Sequence, residues 1–398
     1  MSNADYSILN FVCLVTPAPW FLACLWSGQR VSWIPYFMKG CYMNPGEQID
    51  GAASAIEAIR KELGKQLLIL GHYYQRDEVL RHADVVGDSL ELSRRAAESS
   101  AERIVFCGVH FMAESADILT GDNQTVYMPD VNAGCPMADM APLRQVEKAW
   151  ADLQARGGGW LPVVYVNSRA SVKAFCGMHG GSTCTSSNAA KVFQWVFAQD
   201  KRVLFIPDEH LGTNTAHDLG LPDDAVAVYD PDSPGRSAPT EPGSEQGGLT
   251  ADAIARTRVL VWPGYCHVHM FRIVDIEAAR NQYPGAKVIV HPETPKAVTR
   301  LADAHGSTSQ IIRYVDSQPE GSTIVVGTEL HLVERMARQH QGRRVIVPLR
   351  PSVCRNMALT NEAKLLLLLE GWLAENEVRV APELKHPARQ ALERMLAV

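Results

Sequence analysis

Length, composition and charge limit what this chain can be. It has 398 residues, of which 46% are hydrophobic, so it can bury two or three ordinary cores. A formal net charge of -6, from 38 Lys and Arg against 44 Asp and Glu, offers no basic surface for nucleic acid, and small molecules are the expected partners. Nine irregularly spaced cysteines argue against a secreted disulfide framework and favour reduced thiols or metal ligands in the cytoplasm.

An apolar, uncharged segment at 8–26 resembles a signal peptide or a membrane span. Pro17 and Pro19 interrupt it, no Lys or Arg precedes it, and it barely reaches the length of a bilayer span. We therefore predict no membrane anchor. Residues 1–45 are interpreted as a dispensable extension, followed by an amphipathic helix that starts near Gln48.

From residue 65 onward, short runs rich in Val, Ile and Leu alternate with amphipathic stretches of helical period, which is typical of βα units. Because short parallel strands need helical crossovers, the pattern predicts an α/β fold with three similar layers of parallel sheet. The predicted strands are 66–70, 104–107, 126–128, 162–166, 203–206, 259–262, 287–290, 323–326 and 345–347. The clearest predicted helices are 90–97 and 361–374.

This pattern divides the chain after the extension into three predicted units. They are 46–145, 146–275, and 276–398 with the C-terminal helices. The stretch 230–248 is rich in Pro, Gly and Ser and predicts a mobile surface loop inside the second unit.

Three cysteines, Cys135, Cys266 and Cys354, share one local context: an apolar strand, a turn with Pro or Gly, the cysteine, and then an apparent helix. Helix N-termini at the carboxyl ends of strands favour thiolates and ligand binding. If three units pack around a common axis, the thiolates meet and form a soft metal centre. Three thiolates would leave one iron of a four-iron cluster open to substrate. The alternative is three buried structural thiols, because free cysteine is often buried.

Ten motifs follow one another in the order of a known family. They are LGHYYQRDEV, ADVVGDSLELSRRA, IVFCGVHFMAESADIL, AGCPMADM, VVYVNS, TCTSSNA, FIPDEHLG, WPGYCHVH, VIVHPE and VGTE. From about residue 56 to its end the chain resembles the quinolinate synthases, and Cys354 in VCRNMALT stands where a third cysteine ligand is expected.

The resemblance implies three α/β/α, Rossmann-like units with short parallel sheets, related by pseudo-threefold symmetry. Each unit would give one cysteine to a central [4Fe-4S] cluster, one per chain, whose open iron acts as a Lewis acid. The implied reaction condenses iminoaspartate with dihydroxyacetone phosphate to quinolinate, phosphate and water for NAD synthesis. An L-aspartate oxidase would supply the iminoaspartate.

The chain departs from the family pattern in three places. Its first forty-odd residues and the 230–248 stretch have no counterpart in compact members. Pro348 and Pro351 stand where some members carry two further cysteines, so no thiol–disulfide switch is predicted there.

The resemblance also implies roles for side chains that follow strands or start helices. In GHYYQ, His72 would face the phosphate and Tyr74 would transfer a proton at the keto group. Ser89 and Ser186 would bind phosphate or carboxylate at apparent helix starts, and the alternative for each is an ordinary N-cap. Thr308, in a GSTSQ turn, suits the same anions.

A second group of side chains would bind carboxylate or move protons. Tyr165 and Asn167 alternate along a strand end and could bind a carboxylate together. His269 follows Cys266 by about one helical turn, which predicts a place over the cluster, with a ligand role as the rival. In HPE, the resemblance makes Glu293 the general base and His291 an anion contact.

Three other functions use the same cysteines. One is a different iron–sulfur hydro-lyase, and a second is a non-enzymatic iron–sulfur sensor. The third is tetrahedral zinc held by three cysteines and a histidine such as His269. The sequence has neither a phosphate-binding Walker loop nor a Gly-rich dinucleotide fingerprint, so no nucleotide cofactor is expected.

Overall fold

The alternation of apolar runs and amphipathic stretches produces alternating strands and helices. The computed structural model describes residues 45–233 and 245–398, and residues 49–398 form one compact unit. The predicted extension at 1–45 lies almost wholly outside the described residues. So does most of the predicted 230–248 loop.

The first part of the described chain contributes four strands and four helices. These are α1 (Pro45–Leu63), β1 (Leu67–His72), α2 (Asp77–Leu80), β2 (Val85–Gly87), α3 (Ser89–Glu98), β3 (Arg103–Cys107), α4 (His110–Leu119) and β4 (Thr125–Tyr127).

The middle part adds α5 (Leu143–Ala155), β5 (Trp160–Tyr165), α6 (Ala170–Met178), β6 (Ser182–Cys184), α7 (Ala189–Phe197), β7 (Arg202–Ile206), α8 (Glu209–Asp218), β8 (Val226–Val228), β9 (Glu245–Gln246), β10 (Leu249–Thr250), α9 (Ala251–Arg256) and β11 (Val259–Val261). Strands β9 and β10 form a short antiparallel hairpin at the end of the predicted loop.

The last part adds α10 (Ile273–Gln282), β12 (Lys287–Val290), α11 (Lys296–Thr299), β13 (Ala304–His305), α12 (Thr308–Ser317), β14 (Thr323–Gly327), α13 (Leu330–Gln339), β15 (Val345–Pro348), α14 (Glu362–Gly371), β16 (Glu377–Val378) and α15 (Pro382–Ala397).

Three short sheets result, with orders β16-β4-β3-β1-β2, β6-β5-β7-β11-β8 and β13-β12-β14-β15. All pairs in these sheets are parallel except β16 with β4. The predicted α/β class with several short parallel sheets is therefore confirmed, and each of the nine predicted strands is present. The unit boundaries at 145 and 275 stay a prediction.

Alternation of side chains along the strands explains how the sheets pack. One large core takes alternate residues from all three sheets, such as Phe106, Phe205 and Val326. The neighbouring residues on the opposite faces, such as Val105 and Val325, belong to separate smaller cores under outer helices. Both faces of the sheets are thus covered, as parallel sheets require.

The C-terminal segment returns to the earlier sheets. Strand β16 adds an antiparallel edge to the first sheet, and α15 packs against α4, α6 and β6. Gly177 lets α6 approach α15 closely, because a Cβ there would collide with the carbonyl of Pro387. Among the helices of residues 45–233 and 245–398, none has both the length and the apolar character needed to cross a membrane.

Candidate active site at a three-cysteine cavity

A cavity lies where loops at the carboxyl ends of strands from all three sheets meet. Parallel strands place their carboxyl ends at one edge, which is the usual ligand site of such sheets. All of the side chains singled out from the sequence line this cavity: His72, Tyr74, Ser89, Cys135, Tyr165, Asn167, Ser186, Cys266, His269, His291, Glu293, Thr308 and Cys354.

Cys135, Cys266 and Cys354, which we call the cavity cysteines, follow strands β4, β11 and β15. The helices predicted after them are wrong: Cys135 and Cys266 precede one-turn 3₁₀ segments, and the corresponding turn after Cys354 starts three residues later, at Met357. After Cys135 the helix cannot continue, because Pro142 disfavours the helical conformation of the residue before it. A strong helix dipole therefore does not act on these thiols.

Short turns nevertheless aim backbone N–H groups at the sulfur atoms. Burial raises the pKa of Cys135 to about 12, and hydrogen bonding from the backbone N–H groups of Ala138 and Met137 opposes this rise. Burial raises the pKa of Cys354 to about 11, and N–H groups of its own turn act in the opposite direction. Burial likewise raises the pKa of Cys266 well above its ordinary value, and the two other cavity cysteines add to the rise.

These observations fit an iron–sulfur cluster. The thiols are close enough to raise one another's pKa, and each presents its sulfur to one cavity. Removal of a thiol proton by a bound metal offsets the effect of burial. N–H groups directed at sulfur are among the features that tune cluster thiolates.

A second possible metal site shares Cys266 with the three cavity cysteines. The ligand atoms of Cys266, His269 and Glu293 lie within 4.8 Å of one another and could hold a single metal ion. Both ring nitrogens of His269, however, already have protein partners, which favours a place beside the metal centre over direct ligation.

Glu293 is the centre of a buried hydrogen-bonded chain. Its Oε1 accepts a short hydrogen bond from the hydroxyl of Tyr165, and its Oε2 lies 2.6 Å from Nδ1 of His269. Because a carboxylate only accepts, Nδ1 of His269 carries a proton. Nε2 lies 3.2 Å from Oγ1 of Thr328 and 3.4 Å from the hydroxyl of Tyr74, and these two hydroxyls are 2.9 Å apart.

Burial and neighbouring groups shift the pKa values of Glu293, Tyr74 and Tyr165. Burial alone would raise the pKa of Glu293, but His291, His269 and the hydrogen bonds from His269 and Tyr165 lower it below its ordinary value. Burial raises the pKa values of Tyr74 and Tyr165 well above the ordinary one. At neutral pH the Glu293 carboxylate is therefore charged, and both phenols keep their protons.

His72 and His291, which also line the cavity, are neutral at neutral pH. Burial lowers the pKa of His72 to about 4 and that of His291 to about 3. The ring of His291 stacks on His269 with centroids 4.1 Å apart. A neutral ring can donate one hydrogen bond to an anionic ligand and accept another.

Serine and threonine side chains also line the cavity. Ser89 is the first residue of α3, and the N-cap is Asp88, whose side chain accepts from the N–H groups of Leu90 and Glu91. The N-cap position of α7 is Asn188, two residues beyond Ser186. The ordinary N-cap alternative is thus wrong for both serines. Thr308 is the first residue of α12.

Asn167 lines the cavity beside Tyr165. Among the described residues its buried Oδ1 has no hydrogen-bond partner, so this side-chain amide is available to a ligand. The roles inferred for all these side chains stay proposals.

Several polar residues at this site were not predicted from the sequence, and three of them contact groups of the site or line the cavity. Asp88 lines the cavity, Thr328 joins Tyr74 to His269, and Glu329 accepts from the backbone N–H of Cys354. An acidic residue directly before a helix, as in GDSLEL, is the signal that could have found Asp88. For Thr328 and Glu329, the VGTE motif was the signal.

The fold and the cavity define a layered α/β enzyme in which three thiols and an acid–base chain face one binding space. The family model described as "Quinolinate synthetase A protein" matches residues 54–397. The chain therefore belongs to the quinolinate synthetase A family, as its ten ordered motifs predicted, and it is an enzyme of that family.

Individual members of the family are also similar to this chain over most of its length. The chain is 45% identical to the quinolinate synthase of Acidobacterium capsulatum over 353 residues, which cover 86% of this chain and 92% of the relative. It is 46% identical over 362 residues to that of Rhodopirellula baltica, covering 86% of this chain and 90% of the relative. The quinolinate synthase of Corynebacterium glutamicum is 45% identical, with 86% of each chain covered.

Proposed function

We propose that the chain is a quinolinate synthase of NAD biosynthesis that condenses iminoaspartate with dihydroxyacetone phosphate. Atoms balance when one quinolinate, one phosphate and two waters leave. The reaction transfers no hydride, so it needs no nicotinamide or flavin.

One observation carries this proposal. Three thiols from three different loops converge on the same cavity as the chain Tyr165–Glu293–His269–Tyr74. A structural role for the cysteines alone would not require acid–base groups beside them. Condensation followed by loss of water requires both an electrophilic centre and proton transfer.

The cavity cysteines, Cys135, Cys266 and Cys354, would hold one [4Fe-4S] cluster per chain. When bound, the cluster supplies an iron without a protein ligand, a Lewis acid toward a substrate hydroxyl or carboxylate oxygen.

Glu293 is the proposed general base. Its carboxylate is charged, buried and held by Tyr165 and His269, so it can take a proton from a substrate carbon as the carbon–carbon bond forms. His269 keeps the carboxylate oriented. Tyr74 retains its phenolic proton and can exchange it with the keto oxygen of the phosphorylated substrate.

Anion binding in this cavity depends on neutral donors. Among the described residues that line it there is no Lys or Arg. We assign the phosphate to His72, Ser89, Ser186 and Thr308. We assign the carboxylates of iminoaspartate to Asn167 and His291, and to Tyr165 only where its proton leaves Glu293 for the substrate. Neutral donors bind phosphate less strongly than fixed cations do, which suits a site that must release phosphate as a product.

The first test is anaerobic purification with iron and sulfide analysis, then a quinolinate assay from oxaloacetate, ammonia and dihydroxyacetone phosphate. Four irons per chain together with quinolinate is the expected result. A cluster without product would favour another hydro-lyase or a sensor. Zinc without iron would favour the site at Cys266, His269 and Glu293. Supply by an L-aspartate oxidase and a cytoplasmic location stay predictions.

A further inference from the structure

Asp88 lines the cavity and uses both of its carboxylate oxygens as hydrogen-bond acceptors. Oδ1 accepts from the backbone N–H groups of Leu90 and Glu91, each at 3.1 Å. Oδ2 accepts from the hydroxyls of Ser187 and Ser309, at 2.7 and 2.6 Å. Four donors therefore converge on one side chain that is 9% exposed.

These contacts connect segments that follow strands of three different sheets. Asp88 precedes α3, Ser187 lies in the turn before α7, and Ser309 is in the first turn of α12. The separations along the chain are 99 residues to Ser187 and 221 residues to Ser309. A single carboxylate thus joins three parts of the fold that are far apart in the sequence.

Each joined residue is the immediate neighbour of a cavity hydroxyl. Ser89 follows Asp88, Ser186 precedes Ser187, and Thr308 precedes Ser309. The backbone position of each cavity hydroxyl is therefore set by a residue that Asp88 holds.

Ser307 extends the same network. Its Oγ lies 2.9 Å from Oγ of Ser187. Because a hydroxyl has one proton and a carboxylate only accepts, Ser187 gives its proton to Asp88, and Ser307 donates to Ser187. The protons of Ser187 and Ser309 are thus directed at Asp88 and away from a ligand. The hydroxyls of Ser89 and Ser186 are left for that purpose, whereas Thr308, which also lines the cavity, donates to the hydroxyl of Tyr74 at 3.3 Å.

We propose that Asp88 is a positioning residue for phosphate recognition, which holds the turns of three sheets so that Ser89, Ser186 and Thr308 converge on the phosphate of the substrate. Without these bonds, the ligand itself would have to order three independent turns, and this ordering lowers affinity. The ligand class is a small phosphate monoester bound without fixed cations. The inference rests on the function proposed above.

The sharpest test removes the two inter-sheet bonds but leaves Asp88 in place as the cap of α3. In the double variant Ser187→Ala/Ser309→Ala, the dissociation constant of dihydroxyacetone phosphate, measured by ³¹P NMR titration, should rise about tenfold. KM for the same substrate should rise in parallel. The value of kcat at saturation should stay within about threefold of the wild-type value. The variant loses binding energy that is the same in the substrate complex and in the transition state, so the barrier between them is unchanged.

Two further variants test whether the loss of affinity comes from the bonds to Asp88. In Asp88→Asn, the amide oxygen can keep the helix cap while the NH₂ group donates to both serines, so affinity should stay within about threefold of wild type. The control Ser115→Ala/Ser317→Ala removes two hydroxyls that donate to carbonyls of their own helices, and it should leave binding unchanged.

An unchanged dissociation constant and KM in Ser187→Ala/Ser309→Ala would overturn the inference. So would an equal loss in the control. Failure of the proposed function has a different signature, since wild-type protein would then form no quinolinate whatever the two serines do. Wild-type protein that does not bind dihydroxyacetone phosphate would overturn both.

Discussion

Two sets of cysteines in this chain have the same chemistry and similar thiol acidity but different surroundings. The cavity cysteines follow strands in loops that face a polar cavity. Three others, which we call the core cysteines, are fully buried in apolar clusters: Cys107, Cys176 and Cys184. Burial raises the pKa in both sets, to about 12 for Cys107 and for Cys135 alike. Thiol acidity therefore does not separate a metal ligand from a packing residue here.

Position and donor groups do separate the two sets. Cys107 is the last residue of β3, where burial alone accounts for its raised pKa. Cys135 stands eight residues beyond the end of β4, where a turn directs two N–H groups at its sulfur. A loop can aim a thiol into a shared cavity, whereas a central strand fixes it between a sheet and a helix.

The largest effect is expected from single cavity cysteines. Cys135→Ala, Cys266→Ala or Cys354→Ala should each lose the iron and sulfide of the anaerobically purified protein, together with quinolinate formation, because two thiolates do not hold a four-iron cluster. The control Cys107→Ala should retain both. Full iron content in any of the three variants would remove the distinction between the two sets of cysteines.

The next effect tests whether the acid–base chain acts separately from the thiols. Glu293→Gln should keep the iron but lower kcat by about a thousandfold, because the amide keeps the shape and cannot accept the proton. The control Glu362→Gln changes another buried carboxylate, which pairs with His82 outside the cavity, and it should leave kcat unchanged. Normal turnover by Glu293→Gln would assign the base to another residue.

A smaller effect is expected from Thr328, which is fully buried behind the reactive groups. Its hydroxyl lies closer to both Tyr74 and His269 than these two lie to each other, so it keeps them in register. Thr328→Val should lower kcat about tenfold with little change in KM, and Thr328→Ser should restore it. Thr299→Val, at a buried hydroxyl bonded to Asn214, is the matched control. A serine variant as slow as the valine variant would show that packing, and not the hydroxyl, matters.

Much of the fold could be predicted from the sequence because its central strands are buried on both faces. Runs such as 203–206 and 324–326 consist only of Val, Leu, Ile and Phe, and each lies in an inner strand. The edge strands β6 and β13 were missed, because they have three and two residues and include Ser182, Thr183 and His305. Such strands are defined by a partner strand and not by their own hydrophobicity.

The site was predicted unevenly. From the residues alone, only the cavity cysteines shared a context, and the other side chains came from the resemblance to a family. Thr328 and Asp88 were missed because their contacts cross the fold: Thr328 and Tyr74 are 254 residues apart in the chain. The periodicity of neighbouring residues does not predict a contact between residues so far apart in the sequence. The helices predicted after the cysteines are wrong for the opposite reason: the local pattern favours a helix, but after Cys135 a 3₁₀ turn and Pro142 end it.

The smallest effect compares one substitution at two places in the metal-free protein. Cys107→Ser puts a hydroxyl into an apolar core, so the free energy of unfolding should fall by about 1–3 kcal/mol in a urea titration. Cys354→Ser puts the same hydroxyl at a cavity wall where a ligand or water can reach it, and the fall should be below about 1 kcal/mol. Equal losses would mean that Cys354 is packed as firmly as Cys107, and the loop would then be a poor place for a metal ligand. A difference between the two would locate the functional thiols by stability alone, without iron and without an assay of quinolinate.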